Sequence, residues 1–277
     1  MNSINCNGNL IDLSTPKVMG ILNCTPDSFF DGGKYHNPAS IIHQVEKMLS
    51  EGATFIDVGA YSSRPGAKHI SEEEELERIL PVIKLLISEF PSVLISIDTF
   101  RSQVAAQCIH NGACIVNDIS AGDMDSNMFP TIAKLQVPYV MMHMQGTPQN
   151  MQQNPVYTNV VTDLLYYFSK KIAELHELGV NDIITDVGFG FGKTIEHNYQ
   201  LLTHLELFKN LETPLLAGLS RKGMLYKPLD ITAESALNAT TAANTISLLH
   251  GASILRVHDV KEAVEAVKIV GLLNNTL

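Results

Sequence analysis

The chain has 277 residues, 45% hydrophobic and 17% charged, which supplies a sizeable core and excludes disorder, collagen and coiled coil. Its 19 basic and 29 acidic side chains leave a net charge of −10. That excludes a general binder of nucleic acid or anionic membrane, but not a local basic pocket for a small anion.

Cys6, Cys24, Cys108 and Cys114 show neither CxxC nor zinc-ligand spacing, which reads as idle thiols in a reducing compartment. Residues 1–9 are polar and carry no apolar leader. No apolar run approaches the roughly 18–20 residues of a membrane span, so a soluble, cytoplasmic protein is expected.

Short apolar, β-branched runs alternate with longer amphipathic segments. Residues 1–16 are expected to be an extension packed on a single domain of residues 17–277. Strands are predicted over 17–22, 54–58, 93–97, 113–117, 138–142, 182–186, 214–217 and 253–257. Most are near-continuous apolar runs, as in a parallel sheet buried on both faces. Between them, Asn37-Pro38 suits a helix start and Gly52 a stop. Ser71 with Glu74 predicts a capping box, and Leu76, Ile79, Leu80, Ile83 and Ile87 the buried face that follows. Further helices are predicted over 101–110, 127–134, 158–178, 196–208, 234–250 and 261–273, with Gly112, Gly179 and Gly251 at C-caps. Eight such units predict a (β/α)8 TIM barrel, an α/β fold; a doubly wound open sheet is the alternative, but no GxGxxG follows the first strand.

A barrel reacts at the C-terminal ends of its strands, and here nearly every strand ends in polar residues. They are Asn23; Ser62, Ser63 and Arg64; Asp98; Asn117 and Asp118; His143 and Gln145; Asp186; Ser220, Arg221 and Lys222; and Arg256 and His258. Each has an ordinary alternative: Asp98 as a helix cap, Asp186 as a turn former, Arg256 in a surface salt bridge. Barrel closure would bring them together. Asp98, Asn117, Asp186 and Lys222 suit a flat heterocycle rich in N–H donors and acceptors. Arg256, His258 and Asn23 suit phosphate oxygens and a hard cation such as Mg2+. The loop carrying Phe29 and Phe30 and the loop 62–67 read as lids, or as plain turns packed on the rim. The glycine loop 186–193 lacks Walker spacing, and its glycines are expected to let the backbone approach a flat ligand.

Eight ordered motifs resemble the dihydropteroate synthase family: Val18-Met19-Gly20-Ile21-Leu22-Asn23-Cys24-Thr25-Pro26-Asp27-Ser28-Phe29, Ser62-Ser63-Arg64-Pro65-Gly66-Ala67, Ile97-Asp98-Thr99, Val116-Asn117-Asp118-Ile119, Met141-Met142-His143-Met144-Gln145-Gly146, the Asp186 glycine loop, Ser220-Arg221-Lys222 and Arg256-Val257-His258-Asp259. The resemblance spans residues 17 to 270 and implies a TIM barrel transferase of folate biosynthesis, a sulfonamide target and homodimer using Mg2+. It would join 6-hydroxymethyl-7,8-dihydropterin pyrophosphate to 4-aminobenzoate, giving 7,8-dihydropteroate and pyrophosphate.

Carried over by position, the resemblance implies that Asp98, Asn117, Met141, Asp186, Gly218 and Lys222 bind pterin. Asn23, Ser63, Arg64, Arg256 and His258 would bind pyrophosphate, with Asn23 also at the metal. Ser63, Arg64, Pro65, Phe191, Ser220 and Lys222 would frame aminobenzoate. Asp98, Asp186, Lys222, Arg256 and His258 would carry catalysis. Departures from the family pattern at Tyr61, Ser63 and Val187 remove no charged or metal-facing group. The rival readings are a methyltetrahydrofolate methyltransferase, a non-catalytic pterin binder and a phosphate-binding aldolase with Lys222 as its Schiff-base lysine.

Overall fold

A computed structural model describes residues 3–24, 37–62, 69–148, 150, 151 and 155–274. The lid expectation for Phe29 and Phe30, and the ligand contacts expected of Ser63, Arg64 and Pro65, lie outside the described residues.

The chain opens with an antiparallel hairpin, β1 (Ser3–Cys6) and β2 (Asn9–Asp12). Its two-residue turn is Asn7-Gly8, both at positive φ, the geometry that matches the twist of the flanking strands. Eight parallel strands then close a barrel: β3 (Lys17–Asn23), β4 (Phe55–Gly59), β5 (Leu94–Asp98), β6 (Ile115–Asp118), β7 (Tyr139–Met142), β8 (Ile183–Asp186), β9 (Leu215–Ala217) and β10 (Ile254–Val257). Closure comes from β10, which pairs with both β9 and β3. The open-sheet alternative is thereby excluded.

The helices are α1 (Pro38–Ser50), α2 (Glu72–Glu89), α3 (Ser102–His110), α4 (Met128–Leu135), α5 (Val160–Glu177), α6 (Ile195–Thr203), the short α7 (Gly223–Tyr226), α8 (Leu237–Leu249) and α9 (Val260–Asn274). Asn37 caps α1, accepting from the amides of Ala39 and Ser40, with Pro38 at the first helical position. Three expectations are corrected. Ser71 accepts from Glu74 N at 3.2 Å, but Glu74 turns its carboxylate to Arg78, so half of the capping box forms. The buried stripe of α2 is Ile79, Val82, Ile83 and Leu86, rotated from the expected face and leaving Leu76, Leu80 and Ile87 only partly buried. The segment predicted over 196–208 divides into α6 and a 3-10 turn at Leu205–Leu211.

Strand alternation sorts the side chains into two cores. Outward residues pack under the helices in one large cluster that includes Val18, Val58, Ile97, Val116, Tyr139 and Met141. Inward residues Met19, Phe55, Ile115, Val140, Ile184, Leu216 and Ile254 fill the lower barrel, and it is sealed by Ile4 and Cys6 of the hairpin and by Leu13 just after it. Two residues further along four of these strands, the same inward parity reaches Asp57, Asn117, Asp186 and Arg256. The polar mouth is thus the next storey above an apolar plug.

Candidate active site

The ladder register sets the level of each inward group: Asp57 lies beside Ser96, Asp98 beside Asn117, and Met142 beside Asp186. Arg256, from β10, reaches across this ring. Its Nε is 2.6 Å from Asp57 Oδ2 and its Nη2 is 2.6 Å from Asp98 Oδ2. The two carboxylates outweigh burial and hold the guanidinium above its ordinary pKa. Asn117 donates from Nδ2 to Asp57 Oδ2 at 3.2 Å, which turns its carbonyl the other way, as an acceptor. Burial pushes the Asp98 carboxyl up to about 7; Arg256 opposes the rise and Asp57 adds to it. Among the described residues, Asp57 Oδ1 and the facing Ser96 Oγ are buried without a hydrogen-bond partner, so the floor of the slot keeps acceptor capacity.

Asp186 closes the opposite side. Its Oδ1 accepts from Gly188 N at 2.8 Å, so it is a turn former, and burial raises its pKa against the pull of Lys222. A methyl group at Gly218 would stand 3.8 Å from both Asp186 Oδ2 and Lys222 Nζ, which places this glycine between them. Lys222 donates to the Phe189 carbonyl and stands 4.7 Å from the Phe191 ring centroid, a cation–π distance. Burial lowers its ammonium to about 8, with Asp186 opposing.

Beyond Arg256, the third group gathers at the end of β10. Ser220 Oγ is 3.0 Å from His258 Nδ1 and accepts from His258 N at 3.2 Å. With the hydroxyl proton assigned to Nδ1, the ring proton sits on Nε2 as a donor. Arg221 is committed elsewhere, in a two-pronged ion pair with Asp259 at 3.0 and 2.6 Å. Asn23 ends β3 facing inward, half-buried. Among the described residues its side chain makes no hydrogen bond, and no cluster of three His, Cys, Asp or Glu groups could cage a metal.

Several expected residues fall elsewhere. Met141 lies in the outer core, because its strand neighbours in register are Asp118 and Thr185; the inward residue of β7 is Met142, which faces Asp186. Met142 clusters with Tyr61, Ile119 and Phe191. Asp118 is structural, accepting from Tyr139 Oη, Ser120 and Gly122. Gln145 pins the main chain of Val156 with two 3.0 Å hydrogen bonds. His143 is buried and pushed down to about 2 by burial and the nearby Lys193. The glycine loop does not open toward a ligand at every glycine. A methyl group at Gly188 would come within 2.1 Å of His143 O, and one at Gly192 within 2.5 Å of Gln145 O, so these two allow close approach to the chain after β7.

Sequence reasoning missed Asp57. The available signal was a lone carboxylate at the centre of the otherwise apolar, fully buried strand Phe55–Gly59. A buried charge needs a partner, and only closure of the barrel brings in Arg256, 199 residues away.

The profile of the pterin binding enzyme family matches residues 19–258. The dihydropteroate synthase of Haemophilus influenzae is 43% identical over 265 residues, covering 95% of this chain and 96% of the relative. A crystal structure of the Yersinia pestis dihydropteroate synthase with a sulfonamide drug superposes with a TM-score of 0.92 at 42% identity, covering 99% of both chains. The Xanthomonas albilineans dihydropteroate synthase in complex with 7,8-dihydropteroate superposes with a TM-score of 0.87 at 33% identity, covering 98% of both.

Proposed function

The chain belongs to the pterin binding enzyme family and acts as a dihydropteroate synthase in folate biosynthesis, and on that premise we propose how its own residues divide the reaction. The reaction joins the exocyclic carbon of 6-hydroxymethyl-7,8-dihydropterin pyrophosphate to the amine of 4-aminobenzoate. The C–O bond to pyrophosphate breaks, with its electron pair leaving on the phosphate oxygen. The amine lone pair forms the C–N bond and the nitrogen loses a proton.

Asp98, the Asn117 carbonyl and Asp186 accept from the donor edge of the pterin, and Lys222 donates to its ring. Gly218 leaves room for the ring and Met142 packs against it. Asp186 and Asp98 stabilise the positive charge that spreads over the pterin as pyrophosphate departs. Arg256, His258 and Asn23 stabilise the leaving group. Phe191, Ser220 and Lys222 frame the aminobenzoate; the family resemblance adds Ser63, Arg64 and Pro65 to that role and Ser63 and Arg64 to pyrophosphate binding, all three outside the described residues. The amine is neutral near pH 7, so no strong general base is needed.

The observation that carries this division is Arg256, whose guanidinium touches Asp57 and Asp98 directly. The cationic group meant for the leaving group is therefore part of the heterocycle slot, next to the bond that breaks. For Mg2+, Asn23 offers one neutral oxygen. That donor set fits an ion taking its other ligands from phosphate oxygens and water. When bound, Mg2+ would neutralise charge on the departing pyrophosphate.

Exposed Ile246, Leu249, Ile269 and Leu272 on α8 and α9 support pairing of two copies through that face. No helix among the described residues is long and apolar enough to cross a membrane. The four cysteines are free and buried, which suits a reducing cytoplasm.

Incubation with the pterin pyrophosphate, radiolabelled 4-aminobenzoate and Mg2+ tests the reading. Labelled dihydropteroate and equimolar pyrophosphate are expected, with loss of both when a chelator is added. Methyl transfer from a methylated folate without pyrophosphate release would instead support the methyltransferase, and pterin binding without turnover the non-catalytic binder.

A further inference from the structure

The segment after β8 is held from two sides. On the side of the site, Lys222 donates to Phe189 O. On the other side, Lys193 is 3% exposed. Its Nζ lies 2.9 Å from Gly188 O, 2.9 Å from Phe191 O, 3.1 Å from His143 O and 3.1 Å from His143 Nδ1. An ammonium has three donors and a neutral amine two hydrogens, so this convergence of acceptors is built for the charged form. Burial pulls this ammonium well below its ordinary pKa, Lys222 adds to the fall and the Asp186 carboxylate opposes it. The His143 ring, packed edge-on against Tyr167, is neutral and accepts at Nδ1.

The segment has little shape of its own. Gly188, Gly190 and Gly192 all sit at positive φ, each a potential hinge. Yet it supplies three parts of the site: Gly188 N holds Asp186, Phe189 O receives Lys222, and the Phe191 ring lies against Lys222.

We propose that Lys193 is a positioning residue for the reaction: its buried ammonium gathers the carbonyls of His143, Gly188 and Phe191 and so sets Asp186, Phe191 and Lys222 against the pterin. The inference rests on the pterin reading above. A lysine that merely held the rim together would affect all ligands alike. Among the described residues, the Lys193 ammonium hydrogen-bonds only to the chain after β7 and β8, so its removal is expected to act on the pterin half and to spare Asn23, Arg256 and His258.

The test is calorimetric titration of wild type and Lys193→Met with 6-hydroxymethylpterin, and separately with inorganic pyrophosphate and Mg2+. The pterin Kd is expected to rise about tenfold or more, the effect of loosening a preorganised site by a fraction of an ångström, while the pyrophosphate Kd changes less than about threefold. Unchanged pterin affinity overturns the inference, as does an equal loss of both ligands. Absence of pterin binding in the wild type overturns the pterin reading itself, and this inference with it. A second measurement serves if Lys193→Met does not fold: amide hydrogen exchange over residues 187–192 in Lys222→Met. Retained protection is expected, because Lys193 holds the segment from inside; loss of protection shows that Lys222 was the holder and overturns the inference.

Discussion

Arg256 Nη2 and Asp98 Oδ2 stand 2.6 Å apart although 158 residues separate them in the chain. The contact crosses the barrel mouth from β10 to β5, and it joins the cation expected at the phosphate to a carboxylate expected at the ring. On the proposed division of roles, substrate binding would redistribute Arg256 between the protein carboxylates and the leaving group.

Arg256→Ala is expected to lower turnover by about 10²–10³, the usual scale for losing one preorganised charge stabiliser. The measurement is kcat at saturating substrates. A loss of less than about threefold would refute the assigned role.

Asp98→Asn is expected to weaken pterin binding by about 1.5–3 kcal/mol, the range of a charge-assisted hydrogen bond, read by titration calorimetry. The pH dependence follows from the same group. Its carboxyl titrates near 7 rather than 3.8, so kcat/KM for the pterin substrate rises with pH through that value as the carboxylate forms. Lys222 titrates near 8 rather than 10.5, so activity declines above that value as its ammonium is lost. The stability signs are opposite to the usual ones. Between about pH 4 and 7 the folded protein keeps a proton on Asp98 that the unfolded chain has released, so this group lowers stability as pH rises. Between about pH 8 and 10.5 Lys222 has lost a proton that the unfolded chain still holds, so it raises stability with pH. An acid limb that persists unchanged in Asp98→Asn would show that another group titrates there.

Asp57→Leu removes one partner of Arg256 and the acceptor that orients Asn117. Pterin affinity should fall by about 1–3 kcal/mol, since one buried charge and one buried amide lose their fixed partner. Calorimetry that finds the affinity unaltered would remove Asp57 from the site.

Ile4→Ala should cost about 2–5 kcal/mol of stability, because Ile4 is fully buried in the lower barrel plug. Denaturant unfolding would measure it. The pterin KM should stay near the wild-type value, since the plug closes the end of the barrel away from the mouth; a large rise in KM would show coupling between the two ends.

Some features were legible because they are local. Asn37-Pro38 announces the start of α1 through its own side chain and ring. The apolar runs marked the eight strands, and the polar residues at their tips marked the mouth. The hairpin at residues 3–12 had a local signal in Asn7-Gly8, but its strands are short and the second is mostly exposed, so the surrounding apolar pattern is weak. Met141 and Met142 could not be ranked by hydrophobicity, because both are apolar and both are buried. Only the register against Asp186 tells which one faces the mouth. The glycines of the 186–193 loop announced a special backbone, but not that two of them approach His143 and Gln145.

The one-dimensional chain therefore determined the alternation of strand and helix, the number of units and the chemical kinds of group at each strand tip, since periodicity, capping and turn chemistry act over a few residues. Tertiary structure decided which of those groups meet. Barrel closure is a long-range event. It supplies Asp57 with Arg256, because a buried charge with no local partner is tolerated only where a distant strand delivers one, while the packing of neighbouring strands orients Asn117 on Asp57 and sets Lys193 against the His143 carbonyl.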